Sequence, residues 1–279
     1  IFNFANNLQY FPIGLIGVSF SVAAFPVLAK AWASGFKEEF FKTFSSTFRQ
    51  ILFLIIPTSL LIFILRAQIV RIILGTGEFG WLETRLTAAC LGIFCLSIFA
   101  AALIPFLARV FYSFQDTRTP VIISLISMAL NVGLCFLFVF LLGFSNFFQE
   151  FIINALKLQE IQDISVIGLP LALSVSGIFQ FFLLLLFLKK KTANLKVGEI
   201  LQSLKKILTA SLLMAIFTYL SLLFTGGILN TRTFTGILIQ TIIACLVAAA
   251  VYILINILLK SPEIKIIRSS IFKQFTKSI

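Results

Sequence analysis

The sequence predicts an all-α membrane protein of about seven transmembrane helices, and three observations carry that prediction. Seven apolar stretches approach or exceed the roughly 20 residues that cross a hydrocarbon core. The basic residues concentrate on alternate connections between those stretches. Finally, 60% of residues are hydrophobic and 11% charged, with a mean hydropathy of +1.10. Such a chain would be insoluble as a globule, whereas in lipid each helix satisfies its own backbone groups.

The first stretch, residues 4–28, carries Asn3, Asn7, Tyr10, Gly14, Gly17 and Ser21 at alternating steps of four and three, which places them on one helical face. That face is polar at one end and small thereafter. It reads as a packing seam, since small residues admit close helix approach, or as the wall of a water-filled cavity, given Asn3, Asn6, Asn7 and Gln9 ahead of Pro12. Both readings stand for the outer half; packing is favoured from Gly14 to Ser21.

The second stretch, 51–65, is short. Before it, Phe36, Phe40, Phe44 and Phe48 repeat at i+4 beside Lys37, Glu38 and Glu39, the pattern of a helix lying at the membrane interface. The third and fourth stretches cover 86–107 and 121–142, and Pro120 sits naturally in the first turn of the fourth. Residues 144–164 mix Phe147, Phe148, Phe151 and Leu156 with Glu150, Lys157 and Glu160, as a short surface helix would. The remaining stretches are 164–188, 207–224 and 234–259. Pro12, Pro57, Pro105 and Pro170 are expected to kink or locally break their helices. Asn131, Gln180, Gln240 and Asn256 are isolated polar residues expected to hydrogen-bond between helices. Asn131 has Cys135 one turn on rather than a carboxylate, so it marks no cation site.

Of 22 Lys and Arg residues, seventeen fall on one set of connections and in the tail, while Arg66, Arg71, Arg85, Lys157 and Arg232 fall on the other. The positive-inside rule makes the first set cytoplasmic, with Ile1 external and the tail internal, as an odd number of spans requires. No Asp or Glu lies deep in a stretch, so a buried carboxylate proton relay is absent. The net charge of +12 is spread among connections without an interleaved binding motif, which points to anionic lipid headgroups rather than nucleic acid. Cys90, Cys95, Cys135 and Cys245 all lie in apolar stretches and the chain has no His, so they read as packed small hydrophobes and no metal site is expected. Without His or intramembrane acids no nucleophile, base and orienting group can be assembled, and the chain is not expected to be an enzyme. It opens on Ile without a signal-peptide pattern, and reads as a piece of a larger protein or a truncated product.

Three motifs in order carry a resemblance. NNLQYFPIGLIGVSFSVAAFPVLAKAWASG at 6–35, with its P-x-G-x-x-G core and closing Pro26, resembles the helix that opens the latter half of the lipid II flippase family, MurJ or MviN. LGTGEFGWLETRLTAACL at 74–91 looks like that family's external G-x-F segment, and RVFYSFQDTRTPVIISL at 109–125 is similar to its cytoplasmic F-Y-x-x-x-D-T-x-T-P loop. The last three stretches match by hydropathy and position only.

The resemblance implies the C-terminal half, helices eight to fourteen, of a fourteen-helix MATE-like transporter. Residues 1–191 would form the C-terminal lobe, 192–260 the last two helices with a possible lipid-tail groove, and 261–279 a basic cytoplasmic tail. Such a protein of the bacterial inner membrane moves an undecaprenyl-pyrophosphate-linked peptidoglycan precursor outward by alternating access. Its implied partners are that glycolipid, membrane lipids and a missing N-terminal half; no cofactor is implied. Asn3, Asn6, Asn7 and Tyr10 become cavity candidates. Asp116, Arg118, Thr119 and Pro120 become a cytoplasmic loop gate or merely a fixed turn, and Pro12, Gly14, Gly17 and Pro26 packing or hinge positions. In many members of the family the positions here occupied by Asn7 and Tyr10 hold an Arg and a Glu. An Arg grips pyrophosphate bidentately and an Asn does not, so the N-terminal half supplies the cations, or the lineage binds differently, or the piece is nonfunctional. The alternatives are a polysaccharide-lipid flippase or drug exporter of the same superfamily, or a non-transporting scaffold that recruits cell-wall enzymes; a polyprenyl-lipid transferase is a more remote one.

Overall fold

The computed structural model describes residues 1–75, 80–156, 158–159, 161, 163–192, 197–229 and 233–264. Apolar periodicity gives helices throughout: α1 (Phe2–Pro12), a π-helical turn (Ile13–Val18), α2 (Ser19–Ala33), α3 (Lys37–Leu74), α4 (Trp81–Cys95), α5 (Ile98–Ser113), α6 (Arg118–Leu142), α7 (Phe147–Leu156), a 3-10 turn (Ser165–Ile167), α8 (Gly168–Lys191), α9 (Val197–Ile228) and α10 (Phe234–Leu258). Among the described residues, six helical stretches are long and apolar enough to cross a membrane, and a seventh results if α4 and α5, bent by 49° at their junction, form one broken span. The chain is therefore a multi-span all-helical membrane protein.

The proline expectations resolve unevenly. Directly after Pro12 the helix widens into the π turn, which absorbs one extra residue without ending the span. At Pro57 α3 runs on as one helix. Proline has no N–H for the carbonyl four residues back, and that carbonyl, on Phe53, instead accepts from the Tyr252 hydroxyl of α10 at 2.7 Å. The break in the third span lies at Leu96 and Ser97, well before Pro105. Carbonyls freed there are met by hydroxyls, Cys95 by Ser59 of α3 and Phe94 by Ser97, and Ser97 Oγ also reaches Ser174 Oγ of α8 at 3.0 Å. Pro170 falls in the first turn of α8, where it costs little.

Two buried cores stack along the bundle. One joins α2, the first half of α3, α5 and the lysine-rich end of α8 to the α9–α10 hairpin. The other joins α4, Ala5, Val70, Leu142, Ile152, Leu158, Ile161, Ile164 and Ile167 at the opposite end. In the first core the phenylalanine repeat behaves differently from the interfacial helix expected of it. It is the N-terminal part of α3; Phe36 is exposed, but Phe40, Phe44 and Phe48 are buried. Phe40 packs on Trp32 and Phe114, and Phe44 stacks on Phe106 at 5.6 Å. The amphipathic stripe meets protein, not headgroups. The other short amphipathic segment does give a surface helix, α7, with Phe147 and Phe151 exposed and Ile152 buried; Lys157 and Glu160 lie outside the described residues.

The last two helices pair with each other, through Gln240 Nε2 to the Leu222 carbonyl at 3.1 Å, and dock on α3. Arg49 of α3 fastens the lysine-rich end, donating to Ser203 Oγ at 3.4 Å and lying 3.9 Å from buried Glu263. Of the basic tail, residues 265–279 lie outside the described residues.

Candidate substrate cavity

The π turn decides which side chains of the first span face where. Asn3, Asn7, Tyr10 and Gly14 share an exposed stripe. One residue inserted into the helical repeat moves the following positions off that stripe, so Gly17 and Ser21 turn into the protein and Val18 takes the exposed place. Ser21 Oγ donates back to the Gly17 carbonyl. Gly17 lies against Ala102 of α5 so tightly that no side chain fits between them. Gly17 and Ser21 thus pack inward, while Gly14 joins the open face. Pro12 is buried and Pro26 is exposed.

That open face forms one wall of a cavity of about 460 Å³, closed on its other sides by α5, α6 and α8. From the first span Gln9, Tyr10, Ile13, Gly14 and Val18 line it. Asn3 and Asn7 stand on the same stripe nearer the end of the helix and do not reach it; Asn6 accepts from Gln9 Nε2 at 2.8 Å and so holds one lining side chain. Tyr10 remains 57% exposed, so its ring and hydroxyl are available to an occupant.

The opposite wall is a polar seam between α6 and α8 inside otherwise apolar surroundings. Asn131 Nδ2 donates to Ser176 Oγ at 3.1 Å, Ser127 Oγ to the Ser176 carbonyl at 2.9 Å, and Gln180 Nε2 to Ser124 Oγ at 3.0 Å. Asn131, Gln180 and Gln240 are therefore interhelical partners as expected. Asn256 is not: it donates to the Tyr252 carbonyl of its own helix and accepts from Ser261 just beyond it. The serines of the seam were missed in the sequence, although Ser124, Ser127 and Asn131 at steps of three and four signal a common face.

The loop between α5 and α6 is built around Asp116. Its carboxylate accepts from Thr119 N at 3.0 Å, from Thr119 Oγ1 at 2.9 Å and from Lys191 Nζ at 2.6 Å. The Lys191 ammonium and the Thr119 amide hold its pKa down at about 2. Pro120 is buried in the first turn of α6 and Arg118 is exposed. Asp116, Thr119 and Pro120 thus come together as a turn tied to the end of α8, and Arg118 stands apart from it. Among the described residues no three His, Cys, Asp or Glu side chains are grouped to hold a metal ion, and all four cysteines are free thiols.

A family model described as "Lipid II flippase MurJ" matches residues 1–239. The probable lipid II flippase MurJ of Rhizobium tropici is 26% identical over 275 residues, 96% of this chain and 46% of that protein. The corresponding protein of Thermotoga maritima is 25% identical, covering 94% of this chain and 46% of its own length. That of Bdellovibrio bacteriovorus is 32% identical over 130 residues, 47% of this chain and 25% of that protein. A solved structure, "Lipid II flippase MurJ, inward closed conformation", superposes with a TM-score of 0.67 at 24% identity over 92% of this chain and 47% of its own, a likeness of fold. The chain spans about half the length, or less, of the curated relatives it matches.

Proposed function

The chain belongs to the family described as lipid II flippase MurJ, and from that membership we propose that it works as the C-terminal half of a lipid II flippase, carrying an undecaprenyl-pyrophosphate glycolipid from the inner to the outer leaflet of the bacterial inner membrane. The observation that carries this reading is the polar cavity between the first span and the α6–α8 seam. Amides and hydroxyls at that depth offer a sugar and peptide headgroup neutral hydrogen bonds in place of water. Rocking of one half against the other would expose the cavity to each side in turn.

Asn3, Asn7 and Tyr10 lie on the open stripe where the other half would face them, and Asn6 steadies Gln9 behind it. With Asn7 and Tyr10 in place of a charged pair, the pyrophosphate is held by cations of that N-terminal half. Asp116, Thr119 and Pro120 hold the cytoplasmic turn from which Arg118 projects towards the other half. Pro12 and the π turn give the first span its hinge, and Gly17 the packing against which it moves. Ile1 lies outside and the basic tail inside. The chain performs transport and no covalent chemistry.

Photo-cross-linking tests this reading. A benzophenone side chain at position 10 of the longer protein is expected to capture radiolabelled lipid II, and the same group at Phe147, exposed on α7, is not. Equal capture at both positions, or none at position 10, would remove the cavity from the substrate path.

A further inference from the structure

A second cavity, of about 540 Å³, lies at the end of the bundle opposite the lysine-rich connections, between α3, α4, the start of α10, Leu156 and Leu158. Arg66 and Arg71 of α3 and Arg85 of α4 line it. The Arg66 guanidinium is half-buried, donates to the Phe63 carbonyl at 3.0 Å and lies over the Phe63 ring at 4.7 Å, while its stem passes Gly92. Arg85 lies over the Trp81 ring at 4.5 Å. Among the described residues no carboxylate forms an ion pair with Arg66 or Arg71. Among the described residues an acid stands close by, Glu83, whose carboxylate adjoins Gly80 at the rim.

Arg66 and Arg71, at the end of a membrane span, carry charge that hydrocarbon opposes and an anion stabilises. The remaining walls are apolar, formed by Ala88, Ala89, Leu158 and Ile237, and exposed Trp81 and Phe234 flank the opening as aromatic side chains do at headgroup depth. A charged floor with an apolar flank suits an amphiphile. The guanidinium fork matches the paired oxygens of a phosphate.

We infer that this cavity binds the phosphate of a membrane lipid, a phosphodiester or a polyprenyl diphosphate, with the first carbons of its chain against Phe234 and Ile237. That it faces the outer leaflet rests on the orientation derived from charge; the binding itself does not depend on the flippase reading.

Native mass spectrometry of the full-length protein tests it, with phosphatidylglycerol, undecaprenyl diphosphate and uncharged diacylglycerol as probes. The double variant Arg66→Gln/Arg71→Gln is expected to weaken one or both phosphate lipids by about tenfold or more and to leave diacylglycerol and the opposite-end control Lys260→Gln unchanged. Loss confined to phosphatidylglycerol identifies bulk phospholipid as the source; loss of undecaprenyl diphosphate identifies the polyprenyl carrier. Should the double variant fail to fold, Arg71→Glu, at an exposed position, is expected to weaken the same lipids at least threefold. Wild-type affinity for both phosphate lipids in a folded variant overturns the site.

Discussion

The backbone of Gly17 in the π turn rests on the backbone of Ala102 in α5, and a β-carbon on Gly17 would lie 2.5 Å from the Ala102 carbonyl oxygen. That atom is backbone and cannot swing aside, so any larger residue must push the first span away from α5. Gly17→Val is expected to cost about 1–3 kcal/mol, whereas Gly14→Ala, with nothing within 4 Å of the added carbon, is expected to be near neutral. Thermal unfolding of the two variants in detergent measures the difference, and equal midpoints would contradict the packing.

Tyr252 closes a defect that Pro57 opens. Removing its hydroxyl takes a donor from the Phe53 carbonyl inside the membrane, so Tyr252→Phe is expected to cost about 1–3 kcal/mol. Restoring an amide donor by Pro57→Ala in the same chain should recover most of that loss. A double-mutant cycle on unfolding midpoints checks this, and additive effects would show that the two residues act independently.

Asp116 and Lys191 join the α5–α6 turn to the end of α8. Because the Asp116 pKa is lowered from 3.8 to about 2, its contribution is complete above the unfolded value and is lost as pH falls from about 4 through about 2. The pair is partly exposed, so Asp116→Asn is expected to cost only about 0.5 kcal/mol at neutral pH. A cycle with Lys191→Met reads the coupling directly, and coupling that persists unchanged at pH 2 would contradict the assignment.

The cavity and the packing face of the first span are expected to differ in access to water. In a background without Cys90, Cys95, Cys135 and Cys245, Tyr10→Cys and Gly14→Cys are expected to react with a small water-soluble maleimide, and Ser21→Cys and Ala24→Cys, both buried, to stay protected. Mass spectrometry of the labelled protein distinguishes them. Protection at position 10 would make the whole face a seam.

Much of this arrangement was legible in the residues. The spans follow from hydropathy, and the seam residues Asn131 and Gln180 stand out because isolated amides in lipid need partners. The inward turn of Ser21 was less legible, because a single π insertion shifts the helical phase and no residue type announces it. Nor did any Pro or Gly mark the break at Leu96 and Ser97, which hydroxyls from α3 and α8 support across the bundle. The repeat from Phe36 to Phe48 showed an apolar stripe truly, but periodicity does not say whether lipid or Trp32 and Phe106 will cover it.

The most direct measurement is the amount of lipid II reaching the outer leaflet of bacteria depleted of their own flippase. The longer protein is expected to restore translocation, residues 1–279 alone are not, and Tyr10→Arg in the longer protein is expected to reduce it while membrane levels stay constant. Membrane-inserted longer protein that leaves lipid II inside would contradict the proposed activity, and translocation by residues 1–279 alone would contradict the two-half mechanism.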